Sequence, residues 1–424
     1  MENFIELLYS RFLLSDGVST DTRTIQPGNL FFALSGPNFN GNIYAEEALK
    51  KGAAYVVVDD PQFVRNDRYI LAENSLEALQ ALSKFHRSRF KKPVFALTGS
   101  NGKTSTKELI SRVLGKKYDV LATEGNFNNH IGVPLTLLKI HPQVEIAIVE
   151  MGASKVGDIA ELCDFANPTH GLITNIGHAH TNTFGGIEGV LRGKSELFDH
   201  LRKTGGHPFI NELDPRLINM AKRFAEKTTY PAKDLELVNE ENPLSFSLDG
   251  TDHQSSLYGA YNFPNIAAAV AVGRYFEVPD GQVTEAICEY APDNLRSQVV
   301  EKGQARIIVD AYNANPDSML AALETLNKVA GQKWVVLGDM LELENESSAH
   351  AQLGEKIAEM GFDQVMLVGE LMKHAADQID GAQHFDHVDE LKSHVRTLEP
   401  GTAHILLKGS RKMKLEQLLE HFKE

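Results

Sequence analysis

A glycine-rich segment at residues 96–109, ALTGSNGKTSTKEL, carries the residues best suited to chemistry. Its loop residues are Gly99, Ser100, Asn101 and Gly102. The backbone N–H groups of such a loop, placed at the start of a helix, can surround phosphate oxygens. Lys103 adds a positive charge for the β- and γ-phosphates, and the Thr104 hydroxyl is a suitable ligand for Mg²⁺. The segment therefore predicts a nucleotide site.

The loop is shorter than the full P-loop pattern. The spacing G-x-x-x-x-G-K-[ST] would place its first glycine at position 97, where this chain has Leu97. The remaining G-x-x-G-K-T retains the lysine, the hydroxyl and the loop amides. The alternative interpretation is a glycine turn before an ordinary helix. We favour it less because the segment lies between a strand pattern and a helix pattern.

Polar residues also follow two other predicted strands. Glu150 ends the apolar run EIAIVE, and a carboxylate there suits Mg²⁺, which prefers oxygen ligands. A solvated glutamate at a strand end is an equally good interpretation of this residue alone. His178 and His180 lie in the loop GHAHTNTFGG, but two histidines at this spacing do not form a zinc site. Taken alone, they predict ordinary loop histidines.

Two asparagines and an aspartate extend the candidate nucleotide site. Asn262 and Asn265 stand at the start of an alanine-rich helix, where amides read a purine edge or cap the helix. Helix capping is the more common role for each. Asp310 ends the strand pattern ARIIVD, and it either hydrogen-bonds a ribose or belongs to an Asx-rich turn.

The composition limits the class of protein. The 424 residues are 42% apolar and 23% charged, as in globular proteins of two or three domains. A formal charge of −15 argues against broad nucleic-acid binding. The widely separated Cys163 and Cys288 suit a reducing compartment. The N-terminal segment does not resemble a signal peptide and no apolar run is long enough for a membrane span, so we expect a cytoplasmic protein.

Strand and helix patterns alternate along most of the chain. Apolar runs such as PVFALT, EIAIVE and ARIIVDAY each precede a helical pattern, which predicts parallel sheets covered by helices on both faces. The alternation breaks at a proline-containing stretch at residues 289–294. We therefore predict an α/β protein with a small N-terminal domain at residues 1–86, a central P-loop-type domain at 87–291 and a C-terminal Rossmann-like domain at 292–424.

A series of motifs distributed over all three predicted domains resembles the Mur ligase family. The motifs are STDTRTIQPGNLFFALSG, TGSNGKTSTKE, VEMGAS, TNIGHAHTNTFGG, GKSELF, DAYNANPDSM, LGDMLEL and LLKGSRKMKLE. An ordered series is far more specific than any single motif. In this family the phosphate loop has the shortened G-x-x-G-K-T form.

The resemblance implies an ATP-dependent amide-bond ligase of peptidoglycan precursor synthesis. YNANPDSM and the N-terminal motif resemble the corresponding motifs of the family members that join D-alanyl-D-alanine to UDP-N-acetylmuramoyl-tripeptide. In such enzymes the tripeptide carboxylate accepts the γ-phosphate of ATP, and the dipeptide amine attacks the resulting acyl phosphate. Positioning and charge neutralisation supply much of the catalysis. ATP and Mg²⁺ are implied, and a monomer is the family default.

The catalytic residues of the family fall on four positions of this chain. They are Lys103, Glu150, His180 and Lys194, of which the last three, with Thr104, are the implied metal ligands. Lys194 matches a lysine that many Mur ligases carry as a carbamate, whose oxygens help to hold Mg²⁺. Carbamylation requires a neutral amine, which burial favours. Without the resemblance, Lys194 is better interpreted as a surface lysine paired with Glu196.

The resemblance also implies contacts to the nucleotide and to the UDP-linked substrate. Asn262 and Asn265 match adenine contacts, while Arg296 and Asp310 match contacts from the C-terminal domain to phosphate and ribose. The uridine-recognition turn falls on Ser19, Asp21, Thr22 and Arg23. Thr22 replaces the usual serine and keeps its hydroxyl, whereas Asn40 stands where the family commonly has aspartate.

Two other interpretations remain open. Folylpolyglutamate synthases share the ligase core and chemistry but lack the N-terminal uridine-binding domain. A nucleotide-binding regulator that has lost catalysis is not expected to retain all four catalytic positions. The sequence also leaves open whether the third residue of the tripeptide is diaminopimelate or lysine, and whether the domains lie open or closed.

Overall fold

Three successive α/β units make up the chain, and each is built around a mainly parallel sheet. The computed structural model describes residues 2–240 and 243–423. Helices cover the sheets, as continuous apolar strands require. The predicted α/β fold class is therefore confirmed. We call these parts the N-terminal, central and C-terminal units.

The N-terminal unit contains strands β1 (Val18–Ser19), β2 (Leu30–Phe32), β3 (Ser35–Gly36), β4 (Phe39–Asn40), β5 (Tyr55–Val58) and β6 (Tyr69–Leu71), and helices α1 (Glu2–Leu13), α2 (Ala45–Lys50) and α3 (Ser75–Arg89). Its main sheet is parallel, with the order β1-β2-β5-β6. Both faces are buried, because Leu79 and Leu82 of α3 pack on one face and Ala45 and Ala48 of α2 pack on the other.

The central unit contains strands β7 (Val94–Thr98), β8 (Val120–Ala122), β9 (Ile146–Glu150), β10 (His170–Ile173), β11 (His207–Asn211) and β12 (Thr228–Tyr230), and helices α4 (Lys103–Gly115), α5 (Gly132–Leu137), α6 (Asp158–Ala166), α7 (Thr181–Phe184), α8 (Ile187–Thr204) and α9 (Pro215–Ala221). The parallel strands have the order β12-β11-β10-β7-β9-β8. After β7 the chain first builds one side of the sheet and then the other. Ligands bind at such a switch point, beyond the carboxyl ends of the strands.

Two further helices complete the central unit, α10 (Phe263–Tyr275) and α11 (Asp280–Cys288). Helix α10 is apolar on nearly all sides because it is buried against α4, where Gly273 lies close to Val113. This packing brings the start of α10 beside the start of α4. Within residues 2–240 and 243–423, no helix combines the length and apolar character needed to cross a membrane.

A small antiparallel sheet follows the central strands, and the sequence patterns above did not predict it. Its strands are β13 (Leu235–Asn239), β14 (Ser245–Leu248) and β15 (Thr251–Gln254). Asp249 and Gly250 connect the last two strands, with φ angles of 50° and 74°. An Asp-Gly dipeptide with two positive φ angles is typical of a tight hairpin turn, so these two residues were the available signal.

The C-terminal unit contains strands β16 (Gln298–Lys302), β17 (Ala305–Asp310), β18 (Lys333–Gly338), β19 (Gln364–Val368), β20 (Gln383–Phe385) and β21 (His404–Lys408), and helices α12 (Pro316–Lys328), α13 (Glu346–Met360), α14 (Lys373–Ala376) and α15 (Val388–Val395). The order is β16-β17-β21-β18-β19-β20, and only the pairing of β16 with β17 is antiparallel within this sheet. Helices α12 to α14 cover one face, and α15 covers the other.

Helix α3 joins the N-terminal unit to the central unit. The boundary predicted between residues 86 and 87 lies inside this helix, which ends at Arg89. Arg87 is buried, and its guanidinium donates to the carbonyl oxygens of Ala166, Asn167 and Phe90. Two of these carbonyls belong to the C-terminal end of α6, where orphan acceptors need partners. Arg87 therefore anchors α3 to the central unit.

Candidate active site

A cavity of about 1260 Å³ lies between the central and C-terminal units. The predicted site residues that line it are Ser100, Asn101, Gly102, Lys103, Glu150, His180, Asn262, Asn265, Arg296 and Asp310. The predicted residues outside its lining are Gly99, Thr104, Lys194, Ser19, Asp21, Thr22 and Arg23. The structure thus brings most of the predicted nucleotide contacts together and leaves the predicted uridine turn elsewhere.

The phosphate loop requires glycine at both of its ends. Gly99 has a φ angle of 149° and Gly102 one of 77°. A Cβ atom on Gly99 would overlap the Thr174 hydroxyl, and one on Gly102 would lie 2.6 Å from Asn265 Oδ1. The loop can therefore lie close to β10 and α10 only without side chains at these positions.

Two of the predicted phosphate donors are engaged inside the protein. The Ser100 N–H donates to the Asn175 carbonyl oxygen at 3.1 Å, and the Asn101 N–H donates to Asn175 Oδ1 at 3.0 Å. These two backbone groups would have to exchange Asn175, on the loop after β10, for phosphate oxygens, so their role in phosphate binding stays a prediction. The first N–H groups of α4 have no partner within their own helix, so Lys103 and Thr104 are better placed to supply donors.

Lys103 lies folded over its own loop. Its Nζ donates to the carbonyl oxygens of Gly99, at 2.7 Å, and Ser100, at 3.2 Å. Burial lowers the pKa of Lys103 to about 8, although the nearby Glu150 carboxylate opposes this change. Arg296 of the C-terminal unit lowers the pKa further, because its positive charge lies close by. Cations from two units therefore meet at the phosphate loop.

Glu150 is buried at the end of β9, so the interpretation as a solvated strand-end residue is wrong. Its Oε1 accepts a hydrogen bond from Asn128 Nδ2 at 2.8 Å. Its Oε2 is buried without a hydrogen-bond partner in the part of the chain that the structure describes. An orphaned carboxylate oxygen beside a phosphate loop fits a bound cation.

The donor chemistry around Glu150 fits Mg²⁺ better than a metal held by protein alone. No group of three or more His, Cys, Asp or Glu side chains suited to a metal ion exists in residues 2–240 and 243–423. Mg²⁺ commonly takes one or two carboxylates and completes its shell with water and substrate phosphates. Glu150 with a nucleotide bound at the phosphate loop meets this requirement.

The two loop histidines contact the C-terminal unit. His180 Nδ1 lies 2.8 Å from Glu342 Oε2, and this hydrogen bond lowers the pKa of the Glu342 carboxyl. A cation contact from His180 therefore has to use its other ring nitrogen. His178 Nδ1 lies 3.0 Å from Asp317 Oδ1, and the His178 N–H donates to Asp317 Oδ2 at 2.6 Å. Both histidines thus help to hold the units together.

Lys194 is a buried residue, which excludes the surface ion pair with Glu196. It is 1% exposed, and its Nζ lies 3.4 Å from the Ala153 carbonyl oxygen and 5.4 Å from the centroid of the Phe184 ring. Burial lowers the pKa of Lys194 well below its usual range, and the charge of Lys103 adds to this effect. Glu196 instead accepts hydrogen bonds from the N–H groups at the start of α6. A neutral amine is the form that carbamylation requires.

Asn262 and Asn265 form a chain of hydrogen bonds behind the phosphate loop. Asn265 Nδ2 donates to Asn262 Oδ1 at 2.8 Å, and Asn265 Oδ1 accepts from the Thr106 hydroxyl of α4 at 2.9 Å. Asn262 is the residue before α10, but its side chain makes no capping hydrogen bond; its Nδ2 donates to the Tyr258 carbonyl oxygen. Capping does not explain these asparagines, which join α10 to α4 and line the cavity.

The C-terminal wall of the cavity is built by paired charges. Asp310 accepts from the N–H of Ser297 and from Lys408 Nζ, and Lys408 is 1% exposed. The Arg296 guanidinium lies 3.8 Å from the centroid of the Tyr312 ring, at cation–π distance. Asp310 is therefore a partly neutralised acceptor at a strand end, and Arg296 is held by stacking.

The predicted uridine turn forms a compact loop in the N-terminal unit. The Ser19 hydroxyl accepts from the Asp21 N–H at 3.2 Å, and Asp21 binds the Arg23 guanidinium at 2.6 Å. Hydrogen bonds from Arg23 lower the pKa of the Asp21 carboxyl to about 2. The side chains of the turn thus stabilise its conformation. None of these four residues lines the cavity between the central and C-terminal units.

The sequence analysis assigned no individual role to six further residues of the site, although all of them except Asn128 lie within the motifs quoted there. They are Asn128, Asn175, Asn315, Asp317, Glu342 and Lys408. Asn175 follows a strand, and Asn315 and Asp317 stand at the start of a helix; these positions, together with the motifs, were the available signals. The others meet the site only through long-range packing.

Protein-family comparisons cover most of the chain. Residues 15–86 match the Mur ligase family, catalytic domain; residues 97–273 match the Mur ligase middle domain; and residues 295–411 match the Mur ligase, glutamate ligase domain. The chain therefore belongs to the Mur ligase family.

Individual proteins and solved structures show which members of the family this chain resembles. The UDP-N-acetylmuramoyl-tripeptide–D-alanyl-D-alanine ligase of Bacillus subtilis is 35% identical, over 95% of this chain and 92% of that protein. A crystal structure of MurF from Acinetobacter baumannii has a TM-score of 0.85 at 28% identity, covering 95% of this chain and 92% of the other. MurF ligase from Thermotoga maritima in complex with ADP has a TM-score of 0.82 at 28% identity, covering 97% of each chain.

Proposed function

We propose that this protein is an ATP-dependent ligase that joins D-alanyl-D-alanine to UDP-N-acetylmuramoyl-tripeptide and releases ADP and phosphate. One observation carries the proposal: the phosphate loop and the C-terminal residues Arg296 and Asp310 line a single cavity. The substrates follow from the relatives named for this reaction, which match this chain over nearly its whole length.

The reaction has two bond-making steps. In the first, a tripeptide carboxylate oxygen attacks the γ-phosphorus of ATP, and ADP leaves as the bond to its β-phosphate breaks. In the second, the dipeptide nitrogen attacks the acyl carbon and the bond to phosphate breaks. The nitrogen loses a proton, so that an amide and inorganic phosphate result. Phosphorylation is required because a carboxylate is a poor electrophile.

The residues of the cavity serve these steps by holding charge in place. Lys103 neutralises the transferring phosphate from the central unit, and Arg296 does so from the C-terminal unit. Mg²⁺, when bound, would neutralise further phosphate charge, and Glu150 is the carboxylate best suited to hold it. His180, Thr104 and a carbamylated Lys194 stay predicted ligands. Asn262 and Asn265 are proposed to contact adenine.

The competing interpretations differ in the ligands that they require. A folylpolyglutamate synthase would not use the N-terminal unit, yet residues 15–86 match the Mur ligase family. A regulator that has lost catalysis is not expected to retain Lys103, Glu150, His180 and Lys194 together, and it would not need both substrates for phosphate release. The turn from Ser19 to Arg23 is proposed to bind the uridine nucleotide. A monomeric state and a cytoplasmic location stay predictions.

Phosphate release from ATP tests the proposal directly. We expect release only when UDP-N-acetylmuramoyl-tripeptide and D-alanyl-D-alanine are both present, together with a UDP-linked pentapeptide identified by mass spectrometry. Diaminopimelate- and lysine-containing tripeptides should be compared in parallel. Release that depends on a folate and glutamate, or that needs neither substrate, would overturn the proposed function.

A further inference from the structure

The start of helix α12 rests on the phosphate loop through a pair of side-chain amides. Asn315 Nδ2 donates to Asn101 Oδ1 at 2.7 Å, and Asn101 Nδ2 lies 3.4 Å from Asn315 Oδ1. Asn315 is 5% exposed, whereas Asn101 is only partly buried, and both residues line the cavity. Each amide presents a donor and an acceptor to the other, which fixes the orientation of both planes.

On the loop side, every polar group of Asn101 has a partner within the protein. Its N–H donates to Asn175 Oδ1, and its carbonyl oxygen accepts from the Thr174 hydroxyl at 2.6 Å and from Asn175 Nδ2 at 3.0 Å. Asn101 therefore shapes the loop instead of offering a free donor to phosphate. Its side chain is the part of the loop that reaches the C-terminal unit.

On the C-terminal side, Asn315 is equally constrained. It is the residue before α12, and it exchanges hydrogen bonds with Ser318 in a capping box. Two residues later, Asp317 accepts from the N–H of His178. The first turn of α12 is thus bound to the central unit at two points, one on the phosphate loop and one on the loop after β10.

We propose that Asn315 is a positioning residue that couples the C-terminal unit to the phosphate loop through Asn101. The same C-terminal unit carries Arg296 and Asp310, so the amide pair sets the distance between these groups and the loop. Moving α12 away would release the Asn101 side chain, so nucleotide binding and the arrangement of the units are linked. This inference rests on one part of the proposed function, namely that the phosphate loop binds ATP.

Asn315→Ser separates this role from helix capping, because serine caps a helix but cannot form the reciprocal amide pair. Asn345→Ser makes the same change at the start of α13 and serves as the matched control. The measurement is the dissociation constant of a non-hydrolysable ATP analogue with Mg²⁺, by calorimetry. Loss of the pair should weaken binding about tenfold, whereas the control should bind as the wild type does. Equal affinity of Asn315→Ser and the control would overturn the proposal.

A double-mutant cycle that combines Asn101→Ala with Asn315→Ser distinguishes coupling of the two amides from a general loss of structure. The measured quantity is again the dissociation constant of the ATP analogue. If the two amides act through each other, Asn101→Ala with Asn315→Ser should bind no more weakly than Asn101→Ala alone. If the fold-changes in the dissociation constant of the two single variants multiply in the double variant, the proposed coupling is overturned. A distance probe between labels on the central and C-terminal units should report a broader distribution for either variant. Absence of dipeptide-dependent ligation would refute the proposed substrates but leave these binding results unaffected.

Discussion

Asn128 donates from Nδ2 to Glu150 Oε1 at 2.8 Å, while Glu150 Oε2 lies buried without a partner in the described part of the chain. The Gly152 N–H also donates to the Asn128 carbonyl oxygen, at 2.7 Å. Residue 128 is thus tied to the end of β9 from two sides. A carboxylate held in this way has one oxygen oriented in advance for a cation.

Asn128→Ala should therefore weaken metal binding. Removing the donor frees the Glu150 side chain to rotate, and loss of such an orienting partner lowers metal affinity about tenfold or more. Electron paramagnetic resonance of Mn²⁺, titrated in the presence of an ATP analogue, measures the change. Asn74→Ala, which removes the cap of α3 outside the cavity, is the control for general destabilisation. An unchanged Mn²⁺ affinity would show that Asn128 does not orient Glu150.

Lys103 should make nucleotide binding depend on pH. Burial lowers its pKa to about 8, so its positive charge is present below that pH and disappears as pH rises through it. The KM for ATP should consequently increase as pH rises through about 8. Lys103→Ala should lose nearly all turnover while the protein remains folded by circular dichroism. Retention of more than a small fraction of activity with normal KM contradicts the role of this lysine.

Lys194 should behave as a carbamate. Lys194→Ala should lose most activity but keep ATP affinity, because the phosphate loop is unchanged. Acetate should restore part of the rate by supplying carboxylate oxygens, and removal of CO₂ should depress the wild-type enzyme. Lys203→Ala, an exposed lysine of the same helix, should match the wild type in every assay. Near-normal turnover of Lys194→Ala ends the carbamate hypothesis and leaves the ligase proposal standing.

Arg87 should be important for stability and not for chemistry. Arg87→Met removes the hydrogen-bond donors to three carbonyl groups. One of these carbonyl groups belongs to Ala166, the last residue of α6. Leaving such acceptors unpaired should lower the free energy of unfolding by about 2–4 kcal/mol. Urea denaturation of Arg87→Met and of the exposed Arg65→Met measures the difference. Equal stabilities would mean that these carbonyls find other partners.

The local features of this protein could be predicted from its sequence. The phosphate loop is contiguous, and its glycines, lysine and flanking strand and helix patterns all lie within residues 94–115. The inner parallel strands, such as β7, β9 and β19, carry long apolar runs, because burial on both faces favours apolar residues at successive positions. The small hairpin sheet was missed, since its strands are short and partly exposed, and only Asp249 and Gly250 marked its turn.

The partners of the site residues were decided by tertiary structure alone. Asn101 and Asn315 are 214 residues apart, and single asparagines carry no periodicity that could pair them. Asn175 takes the N–H groups of the loop because β10 lies beside β7 in the sheet, an order that no local pattern encodes. The local sequence predicts a surface position for Lys194, whereas in the folded protein the segment around Ala153 covers this residue. Local sequence thus determined which groups are present, whereas long-range packing determined which of them meet, because that depends on contacts between distant segments.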